Sequence, residues 1–496
     1  MDSASTENYD GIVFDIPDRA DIVRSPADIL NLVLALLVVA ASVVIVVLFS
    51  QTVPDPSADL GATGDAIPGI IDDILLLLVA GIALGLPLAV FGWYVVRQPL
   101  IRAAMLLVAF IVAVVSTTLV FGWLPREIAD ASLGKIVTPF YAYVSGVVAG
   151  LTVANSVLSH RQRKIAWTAL WIGILIRVAI VSGLPVDLAI ALGIGWACGS
   201  LVRFTFGTPN HSPTGRQIVD SLRGVGLEPV RVKAAGVDAR GSKPYFVDLA
   251  DGDRLFVKTL SKDERSADIL FRMYRTLFLK NIGDEPAFSS LRRAVEHEAL
   301  AAMVAASIGV RTPAIRAGRK IGDEDYSMLL AQDAITGESL DRVSDERMTN
   351  DVLRAVWQEV RRMHAQHLAH RDLRLANIFL DESGDVWMID FGFSEVSADQ
   401  VLLDTDVAEL VMSTALKVGS DRAVATAVDV MGTDAVRRSA RRMQPLALSG
   451  ATRNALKESG ELHDEVLETV RGVCGMEEIH FDKISRLSLS LPRRRA

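Results

Sequence analysis

His370-Arg371-Asp372-Leu373-Arg374-Leu375-Ala376-Asn377, followed by Ile389-Asp390-Phe391-Gly392, is the stretch on which the fold turns. Asp372 and Asp390 stand eighteen residues apart, with turn formers at 381–385 and an apolar run at 386–389 between them. A turn and a strand in that interval deliver both carboxylates to one cleft. Such a set suits phosphoryl transfer, where charge on phosphate oxygens must be neutralised while attacking and leaving groups are held in line.

Upstream of this stretch, 230–232, 245–249 and 255–260 read as short strands separated by Gly-Ser and Asp-Gly turns, a small antiparallel sheet. Helical patterns follow at 267–280 and 291–307. The 496 residues divide near residue 205 into an apolar part and a part of ordinary globular composition that holds seven of the eight His. At least two domains follow from that division. A formal net charge of −8 argues against general nucleic-acid binding, which calls for a basic surface. Two Cys, Cys198 and Cys474, give neither a disulfide framework nor a metal-ligand spacing.

In the apolar part, 29–48, 74–96, 103–125 and 136–159 carry no charged side chain, and each reaches the ~20 residues a helix needs to span a bilayer. Residues 165–202 contain only Arg177 and Asp187 as charges and bend at Ser182-Gly183-Leu184-Pro185, which reads as a hairpin of two shorter spans. The acidic leader lacks the basic region of a cleavable signal, so the first span is expected to stay as an anchor. Arg97, Arg102, Arg161, Arg163 and Lys164 fall in alternate short loops, which places both termini on the cytoplasmic side of six spans. Gly146/Gly150 and Gly195/Gly199 have the spacing that lets helices approach closely, and ordinary bundle packing is the plainer reading of both pairs. Arg177 within a span is either a site candidate or a partner of Asp187.

The two motifs around Asp372 and Asp390 resemble the protein-kinase-like superfamily. In that resemblance Asp372 receives the proton of the acceptor hydroxyl, and Asn377 and Asp390 hold magnesium. Leu255-Phe256-Val257-Lys258 looks like the strand whose lysine meets the ATP phosphates. Its expected partner is a helix Glu; Glu296 and Glu298 lie on different faces, and Glu298 is favoured by its distance from Val310-Arg311-Thr312-Pro313. The resemblance further implies that the strand ending near Ala331 leads to an adenine-facing hinge with Gln332 and Ala334. The phosphate-covering turn would be Ala235-Gly236-Val237-Asp238-Ala239-Arg240-Gly241, a weaker glycine pattern than the family's.

No Ala-Pro-Glu follows Asp390; the chain runs through Asp404-Thr405-Asp406 into Ala-rich helices. These departures are more similar to atypical kinases, including lipopolysaccharide-core sugar kinases and aminoglycoside phosphotransferases. The arrangement also resembles actinobacterial membrane proteins that join a kinase-like domain to a lysylphosphatidylglycerol-synthase-type, flippase-like region. No such region follows Asp482, so the protein is expected either to lack that region's lipid-handling activity or to borrow it from a separate flippase-like partner.

The expectation is therefore an N-terminal α-helical transmembrane bundle plus a C-terminal α+β two-lobed protein-kinase-like domain. Its parts would be an acidic leader (1–27), about six spans (28–204), a linker (205–214), the kinase-like domain (215–480) and a basic tail (481–496). The expected activity is transfer of the γ-phosphate of ATP, with Mg2+, to an unknown alcohol acceptor on a lipid, sugar or lipid-linked glycan. The alternatives are a protein Ser/Thr kinase and an ATP-binding pseudokinase regulating a membrane partner. The expected location is the plasma membrane, multi-pass, with the kinase domain cytoplasmic.

Overall fold

A computed structural model describes residues 4–9, 11–17, 22–49, 85, 89, 92–93, 96, 100–124, 131–180, 185–210, 212–236, 242–261, 290–322 and 327–483. The helix expected at 267–280, most of the span expected at 74–96, Gly241 and the basic tail lie outside these residues. Two compact units emerge, one of residues 1–18 with 211–496 and one of residues 19–210.

The chain begins with a hairpin, β1 (Ala4–Tyr9) and β2 (Ile12–Pro17). In the second unit a short strand β3 (Ile22–Val23) precedes helices α1 (Pro26–Phe49), α2 (Leu100–Trp123), α3 (Ala131–Ala154), α4 (His160–Ile180) and α5 (Pro185–Phe206). Strand β4 (Thr208–Pro209) then pairs back onto β3. Three of the described helices are long and apolar enough to cross a membrane: Ala27–Leu48, Leu100–Trp123 and Val186–Phe206. Phe140–Ala154 within α3 is a shorter apolar helix. On either side of the expected bend, α4 ends at Ile180 and α5 begins at Pro185.

Gly195 and Gly199 of α5 sit where backbones come close. A Cβ on Gly195 of α5 would lie 2.3 Å from the Ser145 carbonyl oxygen of α3, and one on Gly199 would lie 2.6 Å from Thr152 Cβ. Small-residue spacing here serves packing between α3 and α5. Ser145 adds a polar tie: its hydroxyl accepts from Thr117 of α2 at 2.7 Å.

The first unit is built on a seven-stranded sheet in the order β1-β2-β5-β6-β7-β9-β8. Its remaining strands are β5 (Pro229–Ala234), β6 (Lys243–Leu249), β7 (Arg254–Ser261), β8 (Ile315–Lys320) and β9 (Ser327–Asp333). The three strands expected between 230 and 260 are its centre, but the sheet is larger than three strands and not wholly antiparallel. The leader, expected as a segment apart, supplies β1 and β2, and β2 runs parallel to β5 with Phe14 opposite Val232. The reason is in its alternation: Ile12 and Phe14 point one way and are buried with Ile218, Leu222 and Val232, while Val13 and Asp15 point the other. Helix α6 (Gly215–Arg223) covers this face and opens with a capping box of Thr214 and Gln217.

Helix α7 (Leu291–Ser307) follows, N-capped by Ser290. Beyond β9, β10 (Gly337–Ser339), β12 (Ile378–Asp381) and β13 (Val386–Met388) form a small sheet, and β11 (Leu368–Ala369) pairs with β14 (Glu395–Val396). Around them pack α8 (Asn350–Ala365), α9 (Gln400–Val418), α10 (Ser420–Met431), α11 (Thr433–Ser439), α12 (Gly450–Glu458) and α13 (Leu462–Val473). Their shared core contains Trp357, Leu373, Leu375, Phe391 and Val407, so the residues flanking Asp372 and Asp390 are themselves core residues. That anchors the polar residues between them.

Candidate active site

Lys258 sits in the middle of the sheet, on β7 between Pro244 of β6 and Leu330 of β9. Its ammonium donates to Glu298 Oε1 at 2.7 Å and to Asp390 Oδ1 at 2.8 Å. Glu298 reaches it because it shares the buried stripe of α7 with Val295, Ala301 and Ala302. Glu296 lies on another face and pairs with Arg292 in solvent. Burial alone would lower the Lys258 pKa, but the Asp390 and Glu298 carboxylates outweigh it and hold the ammonium charged well above its ordinary range. Asp390 is held below the usual carboxylate value: burial opposes ionisation, and Lys258, His370 and Arg374 favour it.

Asp372 lies on the segment between β11 and β12, and Arg374 feels both its carboxylate and that of Asp390. Its Oδ1 accepts from Arg374 Nε at 3.0 Å and its Oδ2 from Asn377 Nδ2 at 2.9 Å, while Asn377 also donates to the Asp372 carbonyl at 2.8 Å. Both carboxylate oxygens are thereby oriented. With its amide nitrogen turned to Asp372, Asn377 presents its amide oxygen elsewhere, and Asp390 keeps a second carboxylate oxygen beyond the one on Lys258. These are hard oxygen donors, and two of them suit magnesium, which takes one or two protein oxygens and completes its shell with water and phosphate. Among the described residues no group of three or more His, Cys, Asp or Glu gathers as a closed metal cage.

The backbone here is strained and braced. Arg371 and Asp390 both adopt φ +66°, a conformation worth about 1–3 kcal/mol of strain in a non-glycine residue. Asp406 of α9 holds the first, accepting from the His370 and Arg371 amides at 2.6 and 2.7 Å. The His370 ring donates from Nε2 to the Ile389 carbonyl at 2.9 Å, joining the Asp372 segment to the strand before Asp390. After Asp390, the His297 ring donates to the Ser394 carbonyl at 2.8 Å, and Arg371 pairs with Glu395. Helix α7, the Asp372 segment and the Asp390 segment are thus one hydrogen-bonded assembly.

Glu409, two residues beyond Val407 on α9, is buried and accepts from the Ser449 amide and the Thr452 hydroxyl at the start of α12. Burial raises its pKa against those hydrogen bonds. Asp406, Glu409, His297 and Glu395 were not assigned roles from the sequence. The signal for the first two was present: each is an acid on the apolar stripe of an otherwise hydrophobic helix, next to Leu402, Leu403, Val407 and Leu410.

The remaining expected residues are placed less centrally. Gly236 is exposed just after β5, and Gly241 lies outside the described residues. Gln332 lies inside β9, flanked by β7 and β8, and the Ala334 amide donates to the Arg254 carbonyl at 2.9 Å. The Ala334 N–H is therefore committed to the sheet rather than offered to a base.

Residues 260–414 match the lipopolysaccharide kinase (Kdo/WaaP) family. The chain is also similar to the 3-deoxy-D-manno-octulosonic acid kinase of Vibrio parahaemolyticus, at 29% identity over 126 residues, 24% of this chain and 53% of that protein. Similarity extends to the ribosomal protein S6 kinase 2 alpha of Xenopus laevis, 42% identical over 14% of this chain and 11% of that protein. The serine/threonine-protein kinase ppk16 of Schizosaccharomyces pombe is 38% identical over 15% and 12% respectively. The chain thus spans about half the length of one of these relatives and a small share of the others. Site and matches converge on one stretch: residues 260–414, which match the Kdo/WaaP kinase family, hold Glu298, Asp372, Asn377 and Asp390.

Proposed function

We propose that this protein is a membrane-anchored phosphotransferase that moves the γ-phosphate of ATP to a hydroxyl of a sugar or lipid-linked sugar. The observation that carries this reading is the oriented Asp372 carboxylate beside the Lys258, Glu298 and Asp390 group. Lys258 takes the nucleotide's phosphate oxygens and Glu298 keeps its ammonium in place. Asp372 accepts the proton of the acceptor hydroxyl as its oxygen bonds to the γ-phosphorus; the bond to the β-phosphate oxygen breaks and ADP leaves. Asn377 and Asp390 are the residues that would hold magnesium, which neutralises charge on the phosphate oxygens when bound.

A sugar-type acceptor is supported by the match to the Kdo/WaaP family and by the Vibrio kinase's name. Membrane anchoring is supported by the three apolar helices; a multi-pass arrangement in the plasma membrane with the kinase domain in the cytoplasm is our reading of the basic loops. A protein Ser/Thr acceptor is the second reading, favoured by the similarity to two protein kinases. The test is to incubate the detergent-purified protein with ATP and a membrane lipid extract, and to follow phosphate by mass spectrometry. Phosphate gained by a glycan or glycolipid, and not with Asp372→Ala, supports the proposal; phosphate found on protein Ser or Thr alone supports the second reading.

A further inference from the structure

The membrane unit contains a pocket the kinase chemistry does not use. It has a volume of about 80 Å3 and is lined by Ile101, Arg102 and Met105 of α2, Val153 and Val157 at the end of α3, and Arg203 at the end of α5. A site for one water takes about 10–15 Å3, so this one admits a group of several heavy atoms.

Its chemistry is divided. Two guanidinium groups line it, yet Ile22, Ile101 and Phe206, also part of its wall, are exposed apolar side chains. An exposed apolar patch beside cationic groups at the ends of spans matches an amphiphile, not a small hydrophilic anion. Arg203 keeps one unused donor. One of its terminal nitrogens lies 3.1 Å from Asp28 and the other donates to the Thr152 carbonyl, while its Nε is buried with no hydrogen-bond partner among the described residues. Ile101 and Arg102 come from the first turn of the 24-residue α2, the end of a helix that favours an anion. Arg161, Arg163 and Lys164, just after the end of α3, add positive charge at the same end of the bundle.

We propose that this pocket binds the phosphate of an anionic phospholipid, with the acyl chains over Ile22, Ile101 and Phe206. The proposal rests on the reading that this unit is embedded in a membrane. It gives the unit a lipid-recognition role at the membrane surface, separate from the acceptor chemistry.

The test is lipid binding to the full-length protein in detergent, read by native mass spectrometry as bound phosphatidylglycerol or phosphatidylcholine, with inorganic phosphate as competitor. The variants are Arg102→Gln and, because it alters only an exposed rim residue, Ile101→Glu. The expected result is preference for phosphatidylglycerol, weakened about fivefold by Arg102→Gln, as expected for one arginine at an anionic surface. Ile101→Glu should weaken it as well, with phosphatidylcholine binding unchanged in both. Equal binding of the two lipids, or phosphatidylglycerol binding indifferent to both variants, overturns the proposal. Displacement of the lipid by inorganic phosphate at equal concentration overturns the lipid as ligand in favour of a soluble phosphate. Extraction of native membranes with alkaline carbonate separates the two readings. Protein retained in the membrane without lipid preference defeats the pocket alone, whereas release by carbonate defeats the membrane reading and the pocket with it.

Discussion

At the scale of single residues, the account assigns separable jobs to groups a few ångströms apart. Asp372→Asn keeps the shape of the side chain and removes the proton acceptor, so kcat should fall by ~10²–10⁴ while nucleotide affinity stays near that of the native protein. Turnover and nucleotide titration on the same preparation measure the two effects. Lys258 and Asp390 give a pH dependence whose sign is fixed. Asp390 is held below its unfolded value, so its contribution is present above about pH 4 and is lost as pH falls through the lower folded value. Lys258 is raised, so its contribution is present below about pH 10 and is lost as pH climbs through the folded value. Asp390→Asn should therefore flatten the acid limb of the denaturation midpoint plotted against pH; an acid limb as steep as the native one would contradict this. Asp372, Asn377 and Asp390 were singled out in the sequence because their spacing is local and specific, and the structure joins Asn377 to Asp372 and Asp390 to Lys258. The helical period says only that Glu296 and Glu298 face different ways; Glu298 was preferred on the kinase-like resemblance, by its distance from Val310-Arg311-Thr312-Pro313. Asp406 was not, because its partners at 370 and 371 are 36 and 35 residues away and only the fold brings them together.

At the scale of elements, α9 is the post on which the Asp372 segment hangs. Asp406→Ala leaves two amides of a strained turn without an acceptor, which should cost ~2–4 kcal/mol of stability and most of the activity. Asp406→Asn, which keeps one acceptor oxygen, should recover part of the stability; chemical denaturation of both variants decides it. Hairpin β1–β2 makes a second prediction. Phe14 is buried against the start of α6, where a Cβ on Gly215 would lie 2.6 Å from its ring. Phe14→Ala should destabilise the sheet-bearing unit by ~2–4 kcal/mol, seen in the same denaturation experiment. Central strands and α7 could be read from alternation and helical period. The hairpin was missed because an acidic composition masked a short alternating run, and its pairing with β5 joins residues more than two hundred positions apart.

At the scale of the whole molecule, the change of composition near residue 205 is reflected in two compact units, although the first eighteen residues fold with the second half of the chain. Apolar length pointed to long helices, three of which among the described residues are long and apolar enough to cross a membrane, while no local pattern announces that β3 pairs with β4 across the entire bundle. The central claim is that the assembled Lys258, Asp372 and Asp390 constellation transfers phosphate. The direct measurement is magnesium-dependent transfer of γ-labelled phosphate from ATP by the full-length protein in membrane-lipid nanodiscs, beside Asp372→Asn. Label moving to an acceptor with the native protein, and failing to move with the variant despite retained ATP binding, is the predicted result. Saturable ATP binding by the native protein with no transfer to any acceptor would contradict the account and make the domain a nucleotide sensor.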